Sequence, residues 1–156
     1  MSFIKQEKSD NYFTHKETWN VIKNYIPNDK IIWECFYGDG KSGEYLRGMG
    51  LNVIHEDIDF FDNNLGDIII SNPPFSLRQK VFQRLKELDK PFIILMFPIV
   101  LSCKWFLDIG FNDNLQIIIP KKRVKCYGNG NNNYSPNGGL WYFCYKMNLS
   151  RDLIII

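Results

Sequence analysis

Two apolar runs limit the folds that this chain can adopt. Ile68–Ile70 and Phe92–Phe97 contain no polar residue. A strand with one face in water alternates apolar and polar residues, whereas a strand covered on both faces is apolar throughout. Because segments with helical spacing separate such runs, we predict an α/β fold with a mostly parallel central sheet and helices on both of its sides.

The remaining segments follow the same alternation. Apolar residues at helical spacing predict helices at Thr14–Tyr25, after the glycine turn up to Gly50, at Leu77–Leu88 and at Cys103–Ile109. Apolar runs predict strands at Ile31–Phe36, Leu51–Glu56, Asp67–Ser71, Pro91–Phe97, Leu115–Ile119 and Leu140–Tyr145, the last of them antiparallel. Tyr127–Gly139 is rich in Gly, Asn, Ser and Pro, and we expect a mobile loop there.

Length and composition exclude several classes of protein. The 156 residues fit one domain, so we expect residues 1–156 to form a single catalytic domain without a separate target-recognition domain. No apolar run is long enough to cross a bilayer, and the first residues lack the pattern of a secretory signal, which predicts an intracellular protein with no membrane partner. The net charge of +2 does not decide whether a nucleic acid binds.

The cysteines do not indicate a metal site. Cys35, Cys103, Cys126 and Cys144 are widely spaced and form no C-x-x-C pair, and the chain has only 2 histidines. A zinc site needs closely spaced ligand pairs or a convergence that spacing does not predict. We therefore expect reduced thiols and no bound metal.

A glycine-rich turn follows the first predicted strand and opens the helix after it. In Gly38-Asp39-Gly40-Lys41-Ser42-Gly43 the glycines allow a sharp turn and a close approach of the backbone to a ligand. A P-loop would need a glycine where Cys35 stands, so that class is excluded. A dinucleotide site, with Asp57 at the spacing of a ribose-binding acid, an S-adenosylmethionine site and a turn without a ligand all fit.

A second motif, Ser71-Asn72-Pro73-Pro74-Phe75, follows an apolar strand and therefore lies at the same edge of a parallel sheet as the glycine turn. Prolines fix φ and lack N–H groups, so the segment is stiff and its carbonyls are free to accept hydrogen bonds. The Asn72 side-chain oxygen and a proline carbonyl can accept the two N–H groups of an aromatic amine, while Phe75 stacks on its ring. This chemistry requires positioning rather than a protein nucleophile or a metal.

These motifs resemble those of class I S-adenosylmethionine-dependent amino-methyltransferases, whose signature is Asn or Asp, two prolines and an aromatic residue. The resemblance is strongest to small phage- and virus-type DNA adenine-N6 methyltransferases, and it is carried by Asp59–Asp62, Asp67–Ser76, Lys90–Phe92 and Ile119–Lys125. It implies a Rossmann-like fold, methyl transfer to N6 of adenine in DNA and a viral setting. The catalytic residues would be Asn72, Pro73, Pro74 and Phe75.

The resemblance also implies how the methyl donor, S-adenosylmethionine, is bound. In the family a separate strand divides the residues that bind the ribose from those that read the adenine, and this sequence lacks it. The implied contacts are Phe13 and Thr14 near the methionine end, Glu34 at the amine, Phe36, Gly38 and Gly40 in the first loop, Glu56 or Asp57 at the ribose, Asp59 and Phe60 at the adenine, and Asn72.

The densest cationic cluster lies next to the polar segment at 127–139. We expect Lys121, Lys122, Arg123 and Lys125 to neutralise nucleic acid phosphates, and Tyr127 and Tyr134 to stack on bases. A base in a duplex would have to be flipped out to react. RNA adenine, cytosine N4 and a catalytically idle subunit of a methyltransferase complex remain alternatives. We expect a monomer or homodimer, with or without a partner subunit that recognises the target.

Overall fold

The computed structural model describes residues 12–128 and 131–156, without the side chains of 131–134. Its helices are α1 (Lys16–Asn20), α2 (Lys41–Gly48), α3 (Arg78–Leu88) and α4 (Lys104–Ile109), and shorter 3-10 helices occupy Lys23–Tyr25, Phe75–Leu77, Pro98–Ser102 and Asn112–Asn114. Its strands are β1 (Phe13–Thr14), β2 (Ile31–Trp33), β3 (Asn52–Ile54), β4 (Ile68–Ser71), β5 (Phe92–Met96), β6 (Leu115–Ile119), β7 (Cys126–Gly128), β8 (Asn131–Tyr134), β9 (Trp141–Tyr145) and β10 (Leu153–Ile155).

Seven strands form the central sheet, in the order β3-β2-β4-β5-β9-β6-β10. All of its neighbours pair in parallel except β9, which runs antiparallel between β5 and β6. The predicted Rossmann-like sheet with flanking helices is therefore confirmed, including its antiparallel strand. No helix in the described ranges is long and apolar enough to span a membrane.

The apolar strand runs divide their side chains between two cores. On one face, Ile68 and Ile70 of β4 pack with Trp19 of α1 and Leu46 of α2. On the other face, Ile69 packs with residues of α3 and α4. Successive side chains of a strand point to opposite faces, so helices on both sides leave no strand position for a polar residue. This is the physical reason for the uninterrupted apolar runs.

Aromatic residues fill the core on the side of α3 and α4. The Phe82 ring of α3 contacts Phe106 of α4 with centroids 5.1 Å apart, and Phe143 of β9 at 5.8 Å. All three side chains are buried. Ring pairs in such tilted arrangements stabilise a core beyond the effect of their buried area, so this cluster attaches the two helices firmly to the sheet.

A second, three-stranded sheet was not predicted. β7 pairs antiparallel with both β1 and β8, in the order β1-β7-β8. The prediction of a mobile loop over Tyr127–Gly139 is therefore wrong for residues 127–128 and 131–134. The strand pairing there satisfies the hydrogen-bonding groups of the backbone and does not depend on an apolar side-chain pattern. The polar composition of the segment therefore gave no sign of these strands.

Three further elements differ from the sequence predictions. The helix expected at Thr14–Tyr25 is divided into β1, the short α1 and a 3-10 turn. The helix expected from Cys103 begins one residue later, after a 3-10 helix. The C-terminal strand β10 was missed. It lies at the edge of the sheet beside β6, and its exposed residues Leu153 and Ile155 give no signal of a buried strand.

Candidate active site

The two motifs meet where the order of the central sheet changes direction. From β2 the chain adds β3 on one side, and it later adds β4 on the other side. The loops that follow β2 and β4 diverge from this point, which is where ligands bind in open α/β sheets. A narrow pocket lies there, lined by Tyr12, Phe13, Thr14, Glu34, Phe36, Tyr37, Gly38, Asp39, Ser42, Asn72, Pro73, Pro74 and Phe75.

Glu34 places a carboxyl group at the base of this pocket. It follows β2 and is only 1% exposed. Its Oε1 accepts hydrogen bonds from the Phe36 backbone N–H (3.2 Å) and from the Ser71 hydroxyl, and its Oε2 accepts one from the Ser42 hydroxyl at 2.5 Å. Burial outweighs these hydrogen bonds and raises the pKa of Glu34 to about 7.

Ser42 connects this carboxyl group to helix α1. Its hydroxyl donates to Glu34 and accepts a hydrogen bond from the Trp19 indole Nε1 at 2.8 Å. Trp19 is fully buried, so Ser42 is held from both sides. The carboxyl group is thus fixed by residues of four separate segments, which suits it to bind an ammonium group in one defined position.

The glycine turn brings the backbone close to the pocket. Gly38 has φ of 58°, and a Cβ at this position would lie 3.2 Å from the ring of Phe13. Gly40, with φ of 84°, is the residue before α2, and its N–H donates to the Tyr37 carbonyl. Both conformations favour glycine. Phe13 thereby packs directly over the turn.

Asn72 carries a buried acceptor without a partner. Its Nδ2 donates to the Thr14 hydroxyl at 3.0 Å, across 58 residues of sequence. Its Oδ1 is shielded from water, and no described residue donates to it. Buried polar atoms are almost always hydrogen-bonded, so this oxygen, on a residue that lines the pocket, is available to a donor from a ligand.

The two prolines do not present equivalent carbonyls. The Pro74 carbonyl accepts the Leu77 N–H at 3.1 Å and begins a 3-10 turn. No described residue donates to the Pro73 carbonyl. Phe75 packs against Phe97 with ring centroids 4.6 Å apart, and its carbonyl accepts a hydrogen bond from Arg78. The platform is therefore rigid, with Asn72 Oδ1 and the Pro73 carbonyl as its remaining acceptors.

The structure brings most of the expected site residues together. The catalytic set and five of the residues expected at the cofactor all line the pocket: Phe13, Thr14, Glu34, Phe36 and Gly38. Sequence reasoning missed Tyr12, Tyr37, Asp39 and Ser42 as lining residues. Asp39 and Ser42 were within the quoted glycine motif, and their polar side chains were the available signal. No feature of the sequence pointed to Tyr12 or Tyr37.

Five of the expected cofactor residues do not line this pocket. Gly40 forms part of the glycine turn before α2. Glu56 and Asp57 are exposed carboxylates that follow β3, the neighbour of β2, and so lie at the same edge of the sheet. Asp59 Oδ1 accepts the Phe61 N–H at 2.8 Å, and Phe60 is buried behind Phe36, with ring centroids 5.0 Å apart.

The cationic cluster lines a larger groove, of about 890 Å³, between α1 and residues 120–125. Lys121, Lys122, Arg123 and Lys125 are all exposed, and Lys16 faces them from α1. Among the side chains that line this basic groove, Glu17 is the one carboxylate. The groove adjoins the pocket, because Thr14 lines the pocket and the next residue, His15, lines the groove.

Tyr127 lies between the pocket and the basic groove. Its ring contacts Phe13 and His15, with centroids 5.7 Å and 5.1 Å apart, and its hydroxyl donates to Asp39 Oδ2 at 2.5 Å. Burial raises the pKa of Tyr127, and Asp39 raises it further. Tyr127 thus packs against two lining residues of the pocket, Phe13 and Asp39. The side chain of Tyr134 lies outside the described part of the chain.

The cysteines are free thiols, and Cys35, Cys126 and Cys144 are buried. Burial raises the pKa of Cys35 well above its ordinary value. Within the described residues, no group of three or more His, Cys, Asp or Glu side chains could hold a metal ion.

No family model matches the chain. In sequence it is similar to the type II methyltransferase M.EcoRI of Escherichia coli, with 29% identity over 89% of this chain and 44% of that protein. The chain thus spans less than half the length of that relative. Among solved structures, it is similar to precorrin-6y C5,15-methyltransferase of Geobacter metallireducens (10% identity, TM-score 0.47, 90% of this chain and 97% of that one). It is also similar to a predicted O-methyltransferase of Agrobacterium tumefaciens (11%, 0.43, 86% and 82%).

Proposed function

We propose that this protein transfers a methyl group from S-adenosylmethionine to an exocyclic amino group of a nucleobase, N6 of adenine in DNA. One observation carries the proposal: a buried carboxyl group and an unpartnered amide oxygen, Glu34 and Asn72 Oδ1, belong to the same pocket at the switch point of the sheet. The sequence similarity to a type II methyltransferase supports the reaction class.

The described residues fit S-adenosylmethionine, which supplies a methyl group activated by a sulfonium. The Glu34 carboxylate matches the amine of an amino acid in charge. Gly38 and Gly40 give the turn that lets the ligand approach the backbone, and Phe13 and Phe36 flank it. Beyond the pocket, Glu56 or Asp57 would bind the ribose hydroxyls, and Asp59 with Phe60 would contact the adenine.

The Asn72 segment would hold the amine that accepts the methyl group. Asn72 Oδ1 and the Pro73 carbonyl would each accept one N–H, which localises the nitrogen lone pair for attack, and Phe75 would stack on the base. The acceptors are fixed by the proline backbone, so little reorganisation is needed. The open space of the pocket is about 40 Å³, so entry of a base requires lining side chains to move.

The basic groove supports a nucleic acid as the substrate. Lys16, Lys121, Lys122, Arg123 and Lys125 line it, and its apolar floor next to this charge suits a phosphate chain with its bases. The charge favours neither DNA nor RNA. The DNA assignment and the choice of adenine rest on the motif resemblance, so both are tested directly.

The test is transfer of labelled methyl from S-adenosylmethionine to DNA and RNA oligonucleotides of matched sequence, single-stranded and duplex, followed by nucleoside digestion. We expect N6-methyladenine in DNA, with single strands reacting faster because they avoid the cost of base flipping. Asn72→Ala should lower kcat by about 100-fold or more, as the loss of an oxyanion-hole donor does.

Other products would change the proposal in defined ways. Label in RNA adenine would identify RNA as the substrate, and label in N4-methylcytosine would identify cytosine as the methylated base. Binding of S-adenosylmethionine without transfer to any oligonucleotide would indicate a missing partner subunit. A wild-type protein that does not bind S-adenosylmethionine in calorimetry would contradict the enzyme proposal and favour an idle subunit.

A further inference from the structure

The amide of Asn72 can act as an acceptor only in one of its two orientations. A primary amide has two N–H donors on nitrogen and two acceptor sites on oxygen. With Oδ1 toward the substrate, it accepts an amine N–H. Rotated by 180°, it would present N–H groups to an amine that itself donates. The groups that contact Nδ2 therefore bear on the reaction without touching the substrate.

Thr14 is the group that contacts Nδ2. Its hydroxyl oxygen accepts a hydrogen bond from Asn72 Nδ2 at 3.0 Å, and the side chain is only 4% exposed. Thr14 lies on β1, far from Asn72 in sequence, so the contact exists only because the small sheet packs against the loop after β4.

Cys126 lies beside this contact. In the antiparallel β1–β7 ladder, Cys126 is directly opposite Thr14, and residues directly opposite in such a ladder project to the same face. The Cys126 side chain is fully buried. The Thr14 hydroxyl and the Asn72 amide therefore meet next to a buried side chain, away from bulk water.

The other side of the amide favours the same orientation. Oδ1 lies where no described residue offers it a hydrogen bond. If the amide were reversed, two N–H groups would be buried there without an acceptor. Unpaired buried N–H groups are rarer in proteins than under-satisfied carbonyl oxygens, so the reversed amide is the less stable of the two.

We propose that Thr14 is a positioning residue that holds the Asn72 amide with Nδ2 turned inward and Oδ1 left for the substrate amine. This inference rests on the proposed function for its consequence and on the described contacts for its geometry. It gives the small sheet a role in catalysis, and it assigns Thr14 to Asn72 instead of to the methionine end of the methyl donor.

The activity test compares Thr14→Val with a conservative variant and a control. Thr14→Val keeps the shape and removes the acceptor, and we expect kcat to fall about tenfold, within the range for one lost buried hydrogen bond. Thr14→Ser should restore most of the lost activity. Ser150→Ala removes an exposed hydroxyl after β9, at the edge of the sheet opposite the pocket, and should have little effect.

The affinity for S-adenosylmethionine separates the two possible roles of Thr14. A positioning residue changes kcat and leaves the dissociation constant of the methyl donor unchanged. If Thr14→Val weakens that binding as strongly as it lowers kcat, Thr14 is a cofactor ligand and the inference is overturned.

A second measurement requires no activity. The two side-chain amide protons of Asn72 are assigned in ¹⁵N spectra by their loss in Asn72→Asp. We expect them to exchange slowly with solvent in the wild type, Thr14→Ser and Ser150→Ala, and distinctly faster in Thr14→Val. Fast exchange in the wild type, or equal rates in Thr14→Val, would refute the inference even in an active enzyme. Slow exchange that depends on Thr14, in a protein that methylates nothing, would support the positioning and contradict the proposed function.

Discussion

Burial of the Glu34 carboxyl group costs the ligand-free protein stability. Its carboxyl group is held by Ser42, Ser71 and a backbone N–H, yet burial raises its pKa from 4.5 to about 7. An ionised carboxylate at this position lacks a cationic partner among the hydrogen-bonding groups around it. An ammonium group from a ligand would supply that partner, so binding of a cation at this position would recover part of the cost.

The raised pKa makes the stability of the ligand-free protein depend on pH. Between about pH 4.5 and pH 7 the folded protein holds a proton on Glu34 that the unfolded chain has lost, so the free energy of unfolding decreases as pH rises through this window. We expect Glu34→Gln to remove about 3 kcal/mol of this decrease. Urea denaturation at pH 5 and pH 8 measures it, with Glu44→Gln, an exposed carboxyl on α2, as the control. Parallel pH profiles for the wild type and Glu34→Gln would contradict the assignment.

Helix α2 shows how one element supports the glycine turn. Gly43 lies on the face of α2 that meets His55, and a Cβ there would overlap the imidazole ring. The ring cannot move aside freely, since it stacks on Tyr37 with centroids 4.8 Å apart. Burial lowers the pKa of His55, which is consistent with an uncharged ring packed against the helix. The close approach of helix and ring thus keeps Tyr37 and the turn in place.

Two glycines of α2 provide a matched pair of substitutions. Gly43→Ala should destabilise the protein by roughly 1–3 kcal/mol, the usual effect of overpacking. Gly48→Ala, where a Cβ meets nothing within 4 Å, should stabilise it by up to about 0.5–1 kcal/mol through helix propensity. Urea denaturation of both variants measures this. Adding His55→Ala should recover much of the loss in Gly43→Ala, and a loss that persists there would locate the clash elsewhere.

At the scale of the whole molecule, charge is distributed unevenly. The net charge is only +2, whereas the basic groove collects five cationic side chains on the side of the sheet covered by α1. Local concentrations of charge, more than the net charge, determine whether a polyanion binds. The groove and the pocket also meet at Thr14 and His15, so a bound strand could place a base near Phe75.

Removal of two groove lysines tests this distribution of charge. Lys121→Ala with Lys122→Ala should weaken binding of an oligonucleotide and reduce the magnitude of the slope of log K against log salt by roughly 1.4 to 1.8, as expected for two lost phosphate contacts. Lys80→Ala with Lys104→Ala removes equal charge from α3 and α4, on the opposite face of the sheet, and should change the slope little. Fluorescence anisotropy across a salt series measures both. Equal slopes for the two double variants would exclude the groove as the binding surface.

Local sequence determined the parts of this protein that depend on neighbouring residues. The apolar runs at Ile68–Ile70 and Phe92–Phe97 predicted buried strands, because helices on both faces leave them no polar position. The glycine turn and the Asn72–Phe75 segment could be placed at one sheet edge, because loops that follow parallel strands share an edge. The main pocket residues followed from that geometry and from the motif resemblance.

Tertiary structure alone decided what depends on long-range pairing. A polar segment became β7 and β8 because backbone hydrogen bonds to β1 compensate for the lack of apolar side chains. The same pairing brings Thr14 to Asn72 and sets Cys126 beside it. No spacing in the sequence encodes a contact across that distance, since it forms only when two sheets pack together. The sequence therefore indicated the Asn72 segment, and the fold determined which way its amide faces.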